Sequence, residues 1–214
     1  MKPERITLTG RYSTVLPLDA ANHADGLWEG AGGEANAELW DWMADGPFSD
    51  RAAFDEHLKA KARSEDPLFF TYIDKARGRA VGLGSFMRID EKNLVIEVGS
   101  LVFGREMQRT RVSTEVMYLM ARYVFEVLRY RRYEWKCNNL NEPSKAAAKR
   151  LGFTFEGIFR QHMLIKGKNR DTAWFSMLDS EWPARKAEFE GWLDPGNFDA
   201  AGHQQTRLAQ SISE

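Results

Sequence analysis

Apolar positions recur at helical spacing in the first third of the chain and run together in the middle, so the period changes part-way. Val15-Leu16-Pro17-Leu18 reads as a short strand ended by proline. Asp19 is placed to cap a helix running to about residue 30, and Ala31-Gly32-Gly33 breaks it. Trp40-Asp41-Trp42-Met43 is expected to form another short helix, stopped by Gly46-Pro47. Ser49 is expected to cap a helix over residues 50–63, in which Ala53, Phe54, Leu58 and Ala62 share one face.

From Leu68 the pattern becomes that of strands. Residues 68–73 and 80–89 read as a hairpin about Lys75-Ala76-Arg77-Gly78. A second turn at Glu91-Lys92-Asn93 leads into residues 94–103. That stretch is almost wholly apolar, as a strand buried on both faces in mid-sheet would be. Val112, Val116, Met120, Val124 and Leu128 then mark the stripe of a long helix over residues 111–129. Residues 133–137 read as a strand and 143–151 as a short helix. Residues 153–165 and 171–178 read as a closing hairpin around Lys166-Gly167-Lys168-Asn169. Ser180 is expected to cap a terminal helix to about Trp192. Beyond Pro195 the chain is polar and expected to be disordered. The order predicts an α/β fold with a mixed, mostly antiparallel sheet flanked by helices. It forms one domain over residues 1–193 with a polar tail over 194–214, and no internal repeat.

Composition narrows the chemistry. Hydrophobic residues make up 43% and charged residues 29%, as in ordinary globular proteins. A formal net charge of −1 speaks against nucleic acid or an anionic membrane as partner. No apolar run approaches the ~20 residues of a membrane span, and Met1 to Arg5 leads into no secretory signal. Cys137 is the only cysteine, so an intramolecular disulfide is impossible and a reducing, cytoplasmic location fits. His23, His57, His162 and His203 show no metal-ligand spacing, so no metal is expected.

Three places could carry chemistry. Gln108-Arg109-Thr110-Arg111-Val112-Ser113 sits between a buried strand and an amphipathic helix. A helix N-terminus offers free amides and partial positive charge to a phosphate. With Thr110 as N-cap, Arg109 and Arg111 could pair with phosphate oxygens; the alternative is a capped helix with solvated arginines. Glu97 interrupts the apolar strand and shares a face with Val95 and Gly99. It is either desolvated, which raises its pKa toward that of a general base, or paired structurally with a cation such as an arginine of a neighbouring strand. Asn141 and Ser144 flank Pro143, where both suit helix capping. Trp135 and Trp174 fall on strands and read as core. Cys137 reads as buried and inert.

These pieces resemble the GNAT superfamily of N-acetyltransferases, and most closely the branch similar to the RimJ/RimL ribosomal-protein N-terminal acetyltransferases. The residues that carry the likeness are Ile96-Glu97-Val98-Gly99, Gln108-Arg109-Thr110 and Thr114-Glu115-Val116-Met117-Tyr118-Leu119-Met120. Tyr130 to Cys137, Asn141-Glu142-Pro143-Ser144, Arg150-Leu151-Gly152-Phe153, Phe155-Glu156-Gly157 and Arg170 to Ser176 follow in order. The resemblance covers residues 16–182. It implies acetyl-CoA as co-substrate, with Leu101, Val102 and Phe103 holding the pantetheine and polarising the thioester. Gln108, Arg109, Thr110, Arg111, Val112 and Ser113 would hold the pyrophosphate, and Asn141 the pantetheine arm.

The resemblance also implies Glu97 as base, directly or through water, and Ser144 as the proton donor to the departing thiolate. Trp40, Asp41, Trp42 and Phe48 lie where the family builds the wall of its acceptor pocket; the alternative for these rings is core packing. The acceptor would be a small amine or a protein N-terminal amine, and a homodimer is compatible with the family. Two positions depart from the pattern. Arg111 stands where the phosphate loop usually has glycine, although the branch with Gln-Arg-Thr commonly lacks it. Ala148 stands where a tyrosine often serves as acid. These departures define the competing reading, a non-catalytic acyl-CoA-binding module.

Overall fold

The computed structural model describes residues 1–200 and 202–208. Strands Leu8–Thr9 (β1) and Ser13–Pro17 (β2) precede helix Ala20–Ala31 (α1), a 3₁₀ segment Glu34–Trp40 and helix Arg51–Arg63 (α2). Strands Leu68–Asp74 (β3), Arg79–Asp90 (β4) and Val95–Phe103 (β5) follow, then helix Arg111–Arg122 (α3) and a π-helical turn Tyr123–Val127. Strand Arg132–Asn138 (β6), helix Glu142–Arg150 (α4), strands Thr154–Ile165 (β7) and Lys168–Leu178 (β8), helix Trp182–Leu193 (α5) and a 3₁₀ turn Pro195–Asn197 complete the chain.

One eight-stranded sheet runs in the order β1-β2-β3-β4-β5-β6-β8-β7. β5 and β6 pair in parallel, and the other neighbours pair antiparallel. The expected mixed, mostly antiparallel sheet is therefore present. Each face carries its own core. On one face Tyr72, Phe86, Ile96, Val98, Tyr133 and Phe175 pack against Val116 and Met120 of α3. On the other, Phe69, Leu83 and Val102 pack against Leu27 of α1, Trp40, and Phe54 and Leu58 of α2.

Two sheet irregularities shape the centre. β5 and β6 bond only over Val95–Val98 against Arg132–Trp135. Beyond this β5 continues along β4 and β6 along β8, so a wedge opens between them. A bulge at Ser100, with φ +52°, changes the alternation of β5. Glu97 lies on the face opposite α3, beside Lys136 and Arg88, and Val102 packs on that face with α1 and α2. Leu101 and Phe103 turn toward α3. Gly84 makes room there: a Cβ would lie 2.1 Å from the Tyr72 hydroxyl and 2.6 Å from Leu101.

Several local expectations are corrected. The short helix of the acceptor segment spans Glu34–Trp40 and ends where the expected one was to begin. Asp50, not Ser49, caps α2, because its carboxylate accepts from Ala53 N at 2.8 Å. Glu181, not Ser180, sits at the N-cap of α5, with no side-chain cap. The long helix is α-helical only to Arg122; Leu128 N then donates to Tyr123 O, and Arg129 leaves at φ +59°.

The tail, expected to be disordered, is ordered over its described part, and residues 201 and 209–214 lie outside the described residues. Asn197 is buried; its Nδ2 donates to Trp192 O at 2.9 Å, and its Oδ1 accepts from Thr206 N at 2.7 Å. Phe198 pairs with Gln204 in a β-bridge, and Leu208 is buried. No helix among the described residues is long and apolar enough to cross a membrane.

Candidate functional site

The wedge opens on the α3 side into a cavity of about 1420 Å³. Its wall contains all eleven residues that the sequence reading assigned to a carrier: Leu101 to Phe103, Gln108 to Ser113, Asn141 and Ser144. They come together because α3 starts at the open end of β5, and α4 starts at the end of β6.

At the start of α3, Thr110 occupies the N-cap in an extended conformation. Its hydroxyl donates to Met107 O at 2.7 Å instead of capping the helix, and no side chain caps it. The first-turn amides therefore face the cavity with the helix's partial positive charge. Gln108 ties the loop to the strand, with Nε2 donating to Phe103 O at 2.9 Å. Arg109 adopts φ +59°. Arg111 stacks its guanidinium 4.5 Å over the Tyr12 ring and 5.7 Å from that of Phe198.

At the start of α4, Asn141 Oδ1 accepts from Ser144 N at 3.1 Å, so the capping role read from sequence is realised. The indole Nε1–H of Trp135 donates to Ser144 Oγ at 3.0 Å. That oxygen is thereby held as an acceptor, and the serine's own hydrogen is left to donate elsewhere. Trp135, read as core, is buried but also lines the cavity. Ala148 is fully buried. The Cys137 thiol is pushed up by burial, partly offset by a hydrogen bond with Ser144, so it is no ready nucleophile.

Glu97 is not part of this wall. It lies on the opposite face of the sheet, 5% exposed, beside the narrow end of the wedge. The Lys136 ammonium of β6 contacts its Oε2, and Arg88 Nε of β4 lies 3.5 Å from the same oxygen. Glu134 is 4.0 Å from Lys136 and is itself bonded by Arg132 at 2.8 Å. Burial raises the Glu97 carboxyl, with Lys136 opposing; burial likewise lowers the Lys136 ammonium. Both alternatives posed for Glu97 are thus realised together, since it is desolvated and paired.

Lys136 was missed by the sequence reading. Its signal lay in the alternation of β6, which sends Trp135 and Cys137 to the cavity face and Lys136 to that of Glu97. Trp174 is expected in the core. It is half-buried on the same face, with Lys136 Nζ 4.2 Å and Arg88 Cζ 5.7 Å from its ring.

The aromatic acceptor wall is dispersed. Trp40 is 1% exposed, its Nε1 donates to Ala31 O at 2.7 Å, and it packs edge-on against Phe48, Phe54 and His57. Trp40 is thus core, Phe48 packs half-buried against it, and Asp41 is exposed. Trp42 alone of the four lines the cavity, at 40% exposure. Lys166, at the tip of the β7–β8 hairpin, donates to Trp40 O at 3.0 Å and fastens the hairpin over this segment. Among the described residues no group of three or more His, Cys, Asp or Glu is placed to hold a metal ion.

The acetyltransferase (GNAT) domain model matches residues 16–154. The chain belongs to the GNAT acetyltransferase family. A crystal structure of a GCN5-related N-acetyltransferase from Brucella melitensis shares 50% identity with it. The match covers 97% of this chain and 94% of that one, with a TM-score of 0.95. The "Putative ribosomal N-acetyltransferase YdaF" of Bacillus subtilis is 28% identical over 109 residues, 51% of this chain and 59% of that protein. The "Uncharacterized N-acetyltransferase p20" of Bacillus licheniformis is 30% identical over 53% of this chain and 63% of its own. The chain thus matches about six tenths of the length of these two relatives. The GNAT fold accounts for the wedge and the neighbouring helix N-terminus; the acceptor is decided by side chains around them.

Proposed function

We propose that this GNAT protein transfers the acetyl group of acetyl-CoA directly to a primary amine, either a protein N-terminal amine or a small amine. The observation that carries the reading is the wedge itself. A large cavity with an uncapped helix N-terminus opens on one face, and a buried carboxylate–ammonium pair lies at the wedge on the other. The name of the Bacillus subtilis relative, a ribosomal N-acetyltransferase, favours a protein amine over a small one as acceptor. A single buried cysteine fits the reducing cytoplasm as the compartment.

The cavity's residues suit the carrier. The amides at the start of α3 suit a diphosphate, and the β5 edge freed from β6 beyond Val98 offers backbone groups to an amide-containing arm. The carrier supplies an activated acetyl thioester, whose C–S bond breaks as the new N–C bond forms. Glu97 takes the proton the amine nitrogen sheds, and Lys136 keeps enough of that carboxyl ionised to do so near neutral pH. Ser144, its oxygen held by Trp135, directs its hydroxyl hydrogen to the departing sulfur; that proton returns to the serine from solvent. Holding both substrates at the wedge supplies much of the acceleration.

Release of free thiol from acetyl-CoA across a panel of amines and N-terminal peptides tests the reading. Amine-dependent release is expected. Tight binding of acetyl-CoA with no release for any amine would replace it with the acyl-CoA-binding module.

A further inference from the structure

The cavity wall does not end with the family's core. Trp192, Phe198, Gly202, His203 and Gln204 line it too, all beyond the family-matched span of residues 16–154. This segment is held in place by its own bonds. Trp192 Nε1 donates to Gln204 Oε1 at 2.8 Å, Asn197 bonds both Trp192 and Thr206, and the Phe198 ring meets that of Trp192 edge-on at 5.1 Å.

Two arginines of the wall rest on its rings. Arg111 lies between Phe198 and Tyr12, at 5.7 and 4.5 Å. Arg150 lies 4.9 Å over Trp192 and donates to Thr114 Oγ1 at 3.1 Å. Arg150 is half-buried, and burial lowers its pKa. Among the described residues neither arginine forms an ion pair, whereas Arg77, Arg79, Arg88 and Arg132 each do. Two cations without counter-ions in one cavity, fixed by aromatic faces, suit an anion supplied by a ligand. The planar forks of arginine match phosphate oxygens.

We propose that the C-terminal segment from Trp192 to Gln204, residue 201 aside, is part of the carrier site. It holds Arg111 and Arg150 for the phosphates of the nucleotide end, so that the protein selects a phosphorylated nucleotide carrier over a bare pantetheine thioester. Phe198 in this view is a positioning residue, acting through Arg111. It also explains how an arginine is accommodated where the family's phosphate loop usually has glycine: the side chain is taken up between Tyr12 and a ring of the tail. The inference rests on the acetyl-CoA reading above.

Calorimetric titration with CoA, dephospho-CoA and pantetheine tests both and separates them. The full chain should bind CoA more tightly than pantetheine. Phe198→Ala should weaken CoA binding about tenfold and leave the weaker pantetheine binding within about twofold, so the preference shrinks. Phe198→Leu keeps apolar bulk without the ring. It should melt as the parent does without ligand and still lose at least about threefold in CoA affinity, which decides the matter if Phe198→Ala does not fold. CoA binding unchanged in a folded Phe198 variant would overturn the role of the tail and leave the acetyl-CoA reading standing. No CoA binding by the full chain would overturn both.

Discussion

Glu97 and Lys136 show how two residues constrain each other. A carboxylate 5% exposed would lose its charge if left alone, and Lys136 with Arg88 opposes that loss. The charged groups facing Glu97 are Arg88 from β4, Lys136 and Glu134 from β6 and Arg170 from β8. Glu97→Gln should slow the chemical step by about a hundredfold or more while leaving the affinity for acetyl-CoA within about twofold; single-turnover acetylation beside a CoA titration measures each. Lys136→Met removes the attraction that restrains the raised carboxyl, so its pKa climbs further. The base form needs pH above that pKa, so the acid limb of the rate profile should move to higher pH. A limb that stays in place would detach the Glu97 carboxyl from the rate. Glu97 was visible in the sequence because a charge in an apolar strand breaks a pattern. Lys136 was not, because a lysine in a seven-residue strand between Glu134 and Cys137 breaks none.

At the scale of elements, α3 shows why periodicity reveals some features and hides others. The stripe Val112, Val116, Met120, Val124 locates the helix and its sheet-facing side. Yet residues 112–121 are all buried, because α5 and the β1–β2 turn cover the remaining faces. Glu115 is one of these, 4% exposed. Its carboxylate accepts from Arg11 N at 2.7 Å, Tyr12 N at 2.8 Å, Ser13 N at 2.6 Å and Ser13 Oγ at 2.7 Å. One side chain thus anchors the turn that carries Tyr12, and through Tyr12 the seat of Arg111. Glu115→Ala strands three buried or half-buried amides. It should cost at least about 3 kcal/mol, or roughly 6–12 °C in melting temperature for a chain of this size. A melting temperature within a degree or two of the parent would show the turn to be held otherwise. The cap assignments missed by one residue for a related reason: Ser49 and Asp50 both suit the position, and only the backbone path selects the acid. The tail's order was hidden because Phe198 and Leu208 are too sparse to set a period, and much of the segment's cohesion comes from the polar side chain of Asn197.

At the scale of the whole molecule, the proposed reaction has the two substrates approach the wedge from opposite faces of the sheet. The cavity side was largely legible, since its residues cluster at two helix starts that sequence motifs mark. The acceptor side was not. Its expected rings are core at Trp40 and half-buried beside that core at Phe48, and its charges come from three different strands, β4, β5 and β6. This separation has a kinetic consequence. A shuttle through the protein would need a nucleophile reachable by both substrates. Cys137, the sole cysteine, is buried on the α3-facing side of β6 with its thiol pushed up. Direct transfer instead requires both substrates to be bound together. Initial velocities at varied acetyl-CoA and amine should therefore give intersecting lines in double-reciprocal plots, and Cys137→Ala should keep turnover within about threefold of the parent. Parallel lines together with an inactive Cys137→Ala would point to an acetylated cysteine and overturn direct transfer. Intersecting lines with Cys137→Ala active, beside a slow Glu97→Gln, would place the essential proton transfer on the face of the sheet opposite the carrier.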